Sequence, residues 1–363
     1  MGDREFALDG MHVLVLSGPT AGADGLTSSG FDDILAGVDG YAIDRISVGD
    51  HQGNHWETYA ALGYMAARTS RVRLGAYVTN VVSRDPGTHA AALASLDAMS
   101  RGRAYWVVGR GDGAIKNLGL TPSSIAETRD ALLAVRGLLT DGIATLGERT
   151  IRMRWPEPPA ARIPLSIAGS GPRILEMAGS VADGVYLATG VIAEDVSESL
   201  ELIDAAARAA GRESMPEPWW VTRFGIGDTE EEAMGAVSES LSSIGNHSLR
   251  GSDFAQKRVP RALWEPLREY HERYDWSRKN VSGPGPSNVD LMHELGLTDY
   301  FLDRFAIVGT PATIVGRIRE LARRGVRRIV VKVENREQLD MLGRDVLPHV
   351  KDVSAPVSPD VVH

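Results

Sequence analysis

Residues 43–80 read IDRISVGDHQGNHWETYAALGYMAARTSRVRLGAYVTN. A β-branched run, Ile43 to Val48, stops at Gly49-Asp50-His51. A helical pattern follows from about Trp56 to Arg68, with Tyr59, Leu62, Gly63 and Ala66 on one side. A second apolar run, Val72 to Val78, then breaks at Thr79-Asn80. Strand, helix, strand, with polar residues at each strand end, is the unit of a parallel sheet crossed by helices.

The unit recurs in both directions. Upstream, Met11 to Leu16 reads as a first strand, followed by a Gly/Ser/Thr-rich stretch and a short helix from Phe31. Downstream, Pro86 and Gly87 punctuate a loop, and Thr88 is expected to cap an alanine-rich helix ending near Met99. The fourth strand, Ala104 to Val108, runs into Gly109-Arg110-Gly111-Asp112-Gly113. Ser124 and Glu127 have the spacing of a capping box. Residues 141–162 read as an excursion. The fifth strand, Ile163 to Ala168, meets Gly169-Ser170-Gly171-Pro172, and the sixth, Gly184 to Leu187, ends at Ala188-Thr189-Gly190. An amphipathic helix from Ala193 to Ala210, a seventh strand from Trp219 to Ile226 and an acidic helix capped by Asp228 or Thr229 come next. Residues 246–300 are polar and break the rhythm. After them Pro311 opens a helix in its first turn, and Arg328 to Val333 forms an eighth strand.

Eight strands with intervening helices predict an α/β fold, a (β/α)8 TIM barrel with insertions, over a doubly wound sheet. The expected organisation is one barrel domain over 11–350, with 246–300 inserted before the last βα unit and a tail at 351–363. A TIM barrel builds its active site at the C-terminal ends of its strands. The histidine-bearing and glycine-rich stretches all fall there.

Composition narrows the function. At 43% hydrophobic and 24% charged, the 363-residue chain is an ordinary globular one. A net charge of −9 leaves no broad basic footprint for nucleic acid. With no cysteine, disulfides, thiolate catalysis and cysteine metal sites are excluded. The polar N-terminus, MGDREFALDG, is no secretory signal, and no run approaches the roughly 18 apolar residues of a membrane span. A cytoplasmic enzyme acting on a small molecule is expected.

His51 and His55, four apart with Asp50 and Glu57 nearby, invite a zinc reading. HExxH is absent and Trp56 begins the helix, so no metal is expected. A histidine at His51 faces the barrel mouth, where an imidazole donates or accepts a hydrogen bond. The loop from Gly109 to Gly113 lets backbone approach a ligand but is not GxGxxG. The glycines before Pro172 and the helix dipole behind them make an anion site. Of Trp219-Trp220, one faces the barrel and one the helices. Arg323, Arg324, Arg327 and Arg328 read as a solvated basic patch on the opposite end.

Taken in order, several segments resemble the luciferase-like monooxygenase superfamily, and most closely its coenzyme F420-dependent oxidoreductases related to methylene-tetrahydromethanopterin reductase. They are Ser47 to His51, Arg73 to Asn80, Arg84-Asp85-Pro86, Ser95 to Arg103, Val108 to Asp112, Gly169 to Pro172 and Phe305 to Pro311. The resemblance spans roughly residues 11–335. It implies an F420-dependent oxidoreductase that moves a hydride between the deazaflavin and a small organic substrate. The alternative it leaves open is a monooxygenase using reduced FMN. His51 would lie near the reactive ring and steer a proton, with Asp50 orienting its neighbour. Asp112 would stand where related enzymes carry a proton-supplying acid, though there the residue is a longer glutamate. A non-prolyl cis peptide among Ala76, Tyr77 and Val78 would form a shelf under the ring, with Asn80 at its pyrimidine edge. Gly109 and Gly111 would run along the cofactor. Gly169, Ser170 and Gly171, helped by Thr189 and Gly190, would hold its phosphate. A homodimer is common in the family.

Overall fold

The computed structural model describes residues 8–15, 28–52, 55–111, 113–155, 162–251, 253–278 and 287–352. The chain opens with β1 (Gly10–Val15), α1 (Ser28–Val38), β2 (Arg45–Val48), α2 (Thr58–Arg68), β3 (Arg73–Ala76) and β4 (Thr79–Asn80). Next come α3 (Pro86–Ser100), β5 (Trp106–Gly109), α4 (Gly113–Asn117), α5 (Ile125–Asp141), and a hairpin of β6 (Ile143–Leu146) and β7 (Arg149–Arg152). Then follow β8 (Leu165–Gly169), α6 (Pro172–Val181), β9 (Gly184–Leu187), α7 (Ala193–Ala209), β10 (Glu217–Val221) and β11 (Arg223–Ile226). Helices α8 (Glu230–Leu249), α9 (Trp264–Arg273), α10 (Asn288–Glu294) and α11 (Thr298–Phe305) lead to β12 (Ala306–Gly309). The chain then runs through α12 (Pro311–Arg323), β13 (Arg328–Val333), α13 (Arg336–Met341) and α14 (Leu347–Val350).

All strands of the main sheet are parallel, in the order β3-β2-β1-β13-β10-β9-β8-β5-β4. Its two edge strands, β3 and β4, are one stretch of chain, divided by the cis peptide Tyr77–Val78. A bridge between Leu74 and Ala104 ties β3 to the strand beside β4. The sheet therefore closes on itself as the eight-stranded barrel that the strand-helix rhythm predicts.

Two sets of side chains alternate along each strand. Outward-facing Met11, Val13 and Val15 join Ile46, Val48, Trp220 and Ile329 in the large core beneath the helices. Inward-facing residues are unusually polar. His12 Nε2 shares hydrogen bonds with Ser47 Oγ at 2.7 Å and the Tyr105 hydroxyl at 2.9 Å. Arg45 donates to Glu217 at 2.8 Å and to the Tyr186 hydroxyl at 3.1 Å, with Trp219 4.3 Å from its guanidinium carbon. A buried guanidinium is tolerable only with such partners. Burial alone would pull the Arg45 pKa down, but Tyr186 and Glu217 raise it, so the charge persists. Burial and the Arg45 charge hold His12 well below its ordinary pKa, so it is neutral.

Local expectations meet three corrections. Asp85, not Thr88, caps α3: its carboxylate accepts from Gly87 N and Pro86 takes the first turn. The seventh strand does not run through to Ile226. It breaks at Thr222, whose N–H and hydroxyl both reach Val330 O, and β11 leaves the barrel to pair with β12. The end arginines are not simply solvated: Arg324 pairs with Glu320, Arg327 with Asp9, and Arg328 with Asp9 and Glu217. The Ser124–Glu127 capping box and the Thr229 cap are present. The polar excursion contains the β6–β7 hairpin.

Residues 246 and 300 both fall inside helices, α8 and α11. Those helices, with α9 and α10, bury a second core of their own around Leu241, Leu267, Tyr270, Met292, Phe301 and Phe305. Phe301 seats directly on Gly245, where an added Cβ would meet its ring at 2.2 Å.

Candidate active site

The barrel's C-terminal face carries two adjoining cavities. The first, of about 440 Å3, is lined by Gly49, Asp50, His51, Tyr77, Val78, Asn80, Gly109, Gly111 and Gly169. The second, of about 350 Å3, is lined by Ser170, Gly171, Pro172, Thr189, Ser199, Lys257 and Arg304. Ala188 and His247 line both. Strands two to six and the start of α6 thus bring together nearly every residue the sequence pattern singles out, across 140 positions of chain. Asp112 lies outside the described residues.

Asp50 is buried at the end of β2 and fully engaged. One carboxylate oxygen accepts from Thr79 Oγ1 at 2.6 Å and from Arg84 at 2.5 Å, the other from Gln52 at 2.9 Å. Arg84 reaches on to Glu57, which caps α2. This network clamps the β2 loop to β4, the strand after the cis peptide. His51 stands next to it, half-buried, and its Nδ1 is enclosed without a hydrogen-bond partner. Its ring meets that of His55 edge-on, with centroids 6.2 Å apart. Among the described residues no three metal-ligating side chains converge.

Tyr77 and Val78 form the cis step and pack on the barrel's inner cluster while facing the cavity. The Asn80 side-chain oxygen accepts from Val82 N and Ser83 N, which shapes the following turn. Its backbone oxygen accepts from His89 Nε2 at 2.8 Å. The Asn80 side-chain NH2 is the part left for a ligand. Trp219 is the inward tryptophan, stacked on Tyr186 with centroids 5.8 Å apart, and does not reach the cavity wall.

The glycines differ in what they do. At Gly169 an added Cβ would lie 2.5 Å from Ile174, and at Gly111, with φ +88°, 2.5 Å from Ile115. At Gly171 it would meet nothing within 4 Å, in ordinary extended backbone preceding α6. Gly171 therefore opens onto cavity space. Gly190 is different again: it has φ +123° and faces Asp195 and Arg304. Those two form a buried ion pair at 2.8 Å behind the second cavity. Burial pushes the Asp195 carboxyl up to about 6 despite Arg304.

The sequence pattern assigns the 246–300 insertion to shaping the substrate pocket but singles out none of His247, Lys257 or Arg304. All three belong to the segment after β11, and no local pattern announces that α8 folds back over the barrel mouth. His55, which the sequence offers only as a possible metal ligand, lines the first cavity and packs on Gly49.

Residues 11–328 match the family described as luciferase-like monooxygenase. A 5,10-methylenetetrahydromethanopterin reductase of Methanolobus tindarius is 26% identical over 315 residues, covering 84% of this chain and 91% of the relative. The structure of a coenzyme F420-dependent tetrahydromethanopterin reductase from Methanopyrus kandleri superposes with a TM-score of 0.76 at 22% identity, covering 94% of this chain and 99% of that one. An F420-dependent secondary alcohol dehydrogenase, solved with an F420–acetone adduct, superposes at 0.65 with 15% identity, covering 94% and 99%. At these identities the structural likenesses speak to the fold.

Proposed function

The chain belongs to the luciferase-like monooxygenase family, and from that premise we propose that it is a coenzyme F420-dependent oxidoreductase acting on a small organic substrate. The observation that carries the reading is the pair of adjoining cavities at the strand ends, one over the Tyr77–Val78 shelf and one at the N-terminus of α6. A planar ring system joined to a phosphorylated side chain fits that layout. Relatives named as F420-dependent or methylenetetrahydromethanopterin reductases support the deazaflavin.

Tyr77, Val78 and Asn80 would hold the ring, and Gly109 and Gly111 would let it approach the backbone. Gly169, Ser170, Gly171 and Thr189 would hold the phosphate, using the N–H groups and dipole at the start of α6. Gly190 acts one step behind, giving Asp195 and Arg304 room to pair. The bound deazaflavin supplies or accepts a hydride, and the chain supplies position and a proton route. His51 is the group placed to hold or pass that proton. Asp50 works through its neighbours by fixing the His51 loop against β4. Asp112 stays in the proposal as a second acid. A homodimer and a cytoplasmic location go with this reading. Among the described residues no helix is long and apolar enough to cross a membrane.

Fluorescence titration of the purified protein with F420 and, in parallel, FMN tests the assignment. Tight binding of the deazaflavin alone is expected. Preference for FMN would move the protein to the oxygen-using branch, and binding of neither would remove the cofactor reading.

A further inference from the structure

Arg223, the first residue of β11, carries a charge that no carboxylate among the described residues neutralises. Its Nε is enclosed and makes no hydrogen bond. No carboxylate or carbonyl oxygen accepts from its guanidinium among the described residues. Arg304 and Arg136 also have an enclosed Nε without a hydrogen bond, but their terminal nitrogens reach acceptors, Asp195 and Asp183, as those of Arg45 reach Glu217 and Tyr186 and those of Arg103 the backbone oxygens of Thr69 and Val72. Arg223 is half-buried with its Nε enclosed, and a partly desolvated cation without an internal acceptor gains most from an anion that completes the pairing.

Strand alternation locates it. Trp219 and Val221 belong to the cluster inside the barrel, whereas Trp220 and Phe224 pack in the outer core. Arg223 therefore continues the inward series, one step above Val221, at the barrel mouth. Val221 is paired with Val330, and Thr222 N holds Val330 O, so Lys332 rises to the same level on the neighbouring strand. Lys332 is partnered by Glu334 at 2.5 Å, which leaves one net positive charge on the three groups. Tyr77, across the mouth, faces the Arg223 charge and also lines the first cavity. Burial keeps its hydroxyl protonated and able to donate.

We propose that Arg223 and Lys332, at the ends of barrel strands seven and eight, bind an oxyanion of the substrate, a carboxylate or a phosphate monoester. A guanidinium offers the planar, paired donors that such a group takes. The substrate's uncharged part would then extend over the Tyr77–Val78 shelf toward His51. This site is separate from the Gly169–Gly171 loop, which the cofactor reading uses. Identifying the anion's owner as the substrate rests on that reading, whereas the anion site itself does not.

The test uses calorimetric titration of the cofactor-free full chain with inorganic phosphate and, separately, malonate, with potassium chloride at equal ionic strength as the screening control. Saturable binding of one anion is expected, weakened about tenfold or more in Arg223→Met and less in Lys332→Met. Phosphate preference points to a phosphate ester and malonate preference to a carboxylate. Arg223→Met should keep the wild-type melting temperature, because no internal partner is lost. It should also keep its F420 affinity, measured by fluorescence. Absence of saturable binding, equal affinity in Arg223→Met, or a marked drop in its melting temperature overturns the proposal. A wild-type protein that binds the anion but no F420 would retain the site and overturn only the cofactor reading.

Discussion

His51 and Asp50 are adjacent in sequence but differ in what surrounds them. His51 Nδ1 has no partner, while Asp50 spends both oxygens on Thr79, Arg84 and Gln52. His51→Ala should lower turnover by about a hundredfold, the usual scale for a proton-transfer group, and leave F420 affinity unchanged. Steady-state rates with unaltered turnover would remove His51 from the mechanism. Asp50→Asn should instead destabilise the fold by about 1–3 kcal/mol in urea, because Arg84 loses a charged, largely buried partner. The glycines before α6 separate in the same way. Gly171→Val meets open space, so it should melt like the wild type while F420 binding weakens. Gly169→Ala collides with Ile174 and should lose stability as well. Equal F420 affinity in Gly171→Val and wild type would argue against the phosphate assignment.

Among elements, the seventh barrel strand and the helices that follow it do most to shape the site. At Thr222 the chain leaves the barrel, and β11 recruits β12 as a partner. Helix α8 then returns, carrying His247 to the wall shared by the two cavities. It holds α9 through the Tyr270 hydroxyl on Ser242 and α11 through Phe301 seated on Gly245, a contact too tight for any Cβ. Gly245→Val should therefore force α11 away from α8, costing about 1–3 kcal/mol. F420 affinity should fall with it, since Lys257, Arg304 and His247 move together. Normal affinity in a destabilised Gly245→Val protein would show that the inserted helices do not shape the cofactor site.

Over the whole molecule, buried neutral histidines set the acid limit. Burial, despite Asn80 O accepting from its ring, pulls His89 down to about 4, and burial takes His271 to about 4 as well; His12 is also lowered. Each group binds a proton more readily unfolded than folded. For His89 and His271 that contribution is complete above the unfolded pKa of about 6.5 and is lost as pH falls toward about 4. His89 alone should cost about 2 kcal/mol between pH 7 and pH 5. Asp195, raised to about 6, acts with the opposite sign, gaining stability as pH falls from about 6 toward its ordinary value. Urea unfolding at pH 7 and pH 5 should show net loss at the lower pH. His89→Gln, which cannot take up the proton, should show a smaller loss, and an identical loss would contradict the burial argument.

The strand-helix rhythm, the glycine-rich strand ends and the cap at Ser124 were legible because each depends on neighbours a few residues away: strand period, turn chemistry, first-turn hydrogen bonds. Membership of the barrel and the location of His51, Tyr77 and Gly171 at one end followed from counting units. The sequence by itself therefore determined the fold and which loops would meet. Only the tertiary structure decided that Asp50 is committed to Arg84, that strand seven breaks at Thr222, and that His247, Lys257 and Arg304 reach the site. It also decided that Arg223 stands without a counter-charge among the described residues. The pairings of Asp50 with Arg84, Thr222 with Val330 and Arg304 with Asp195 join residues between 34 and 109 positions apart, and such pairings arise only when the barrel closes and brings distant strand ends within a few ångströms.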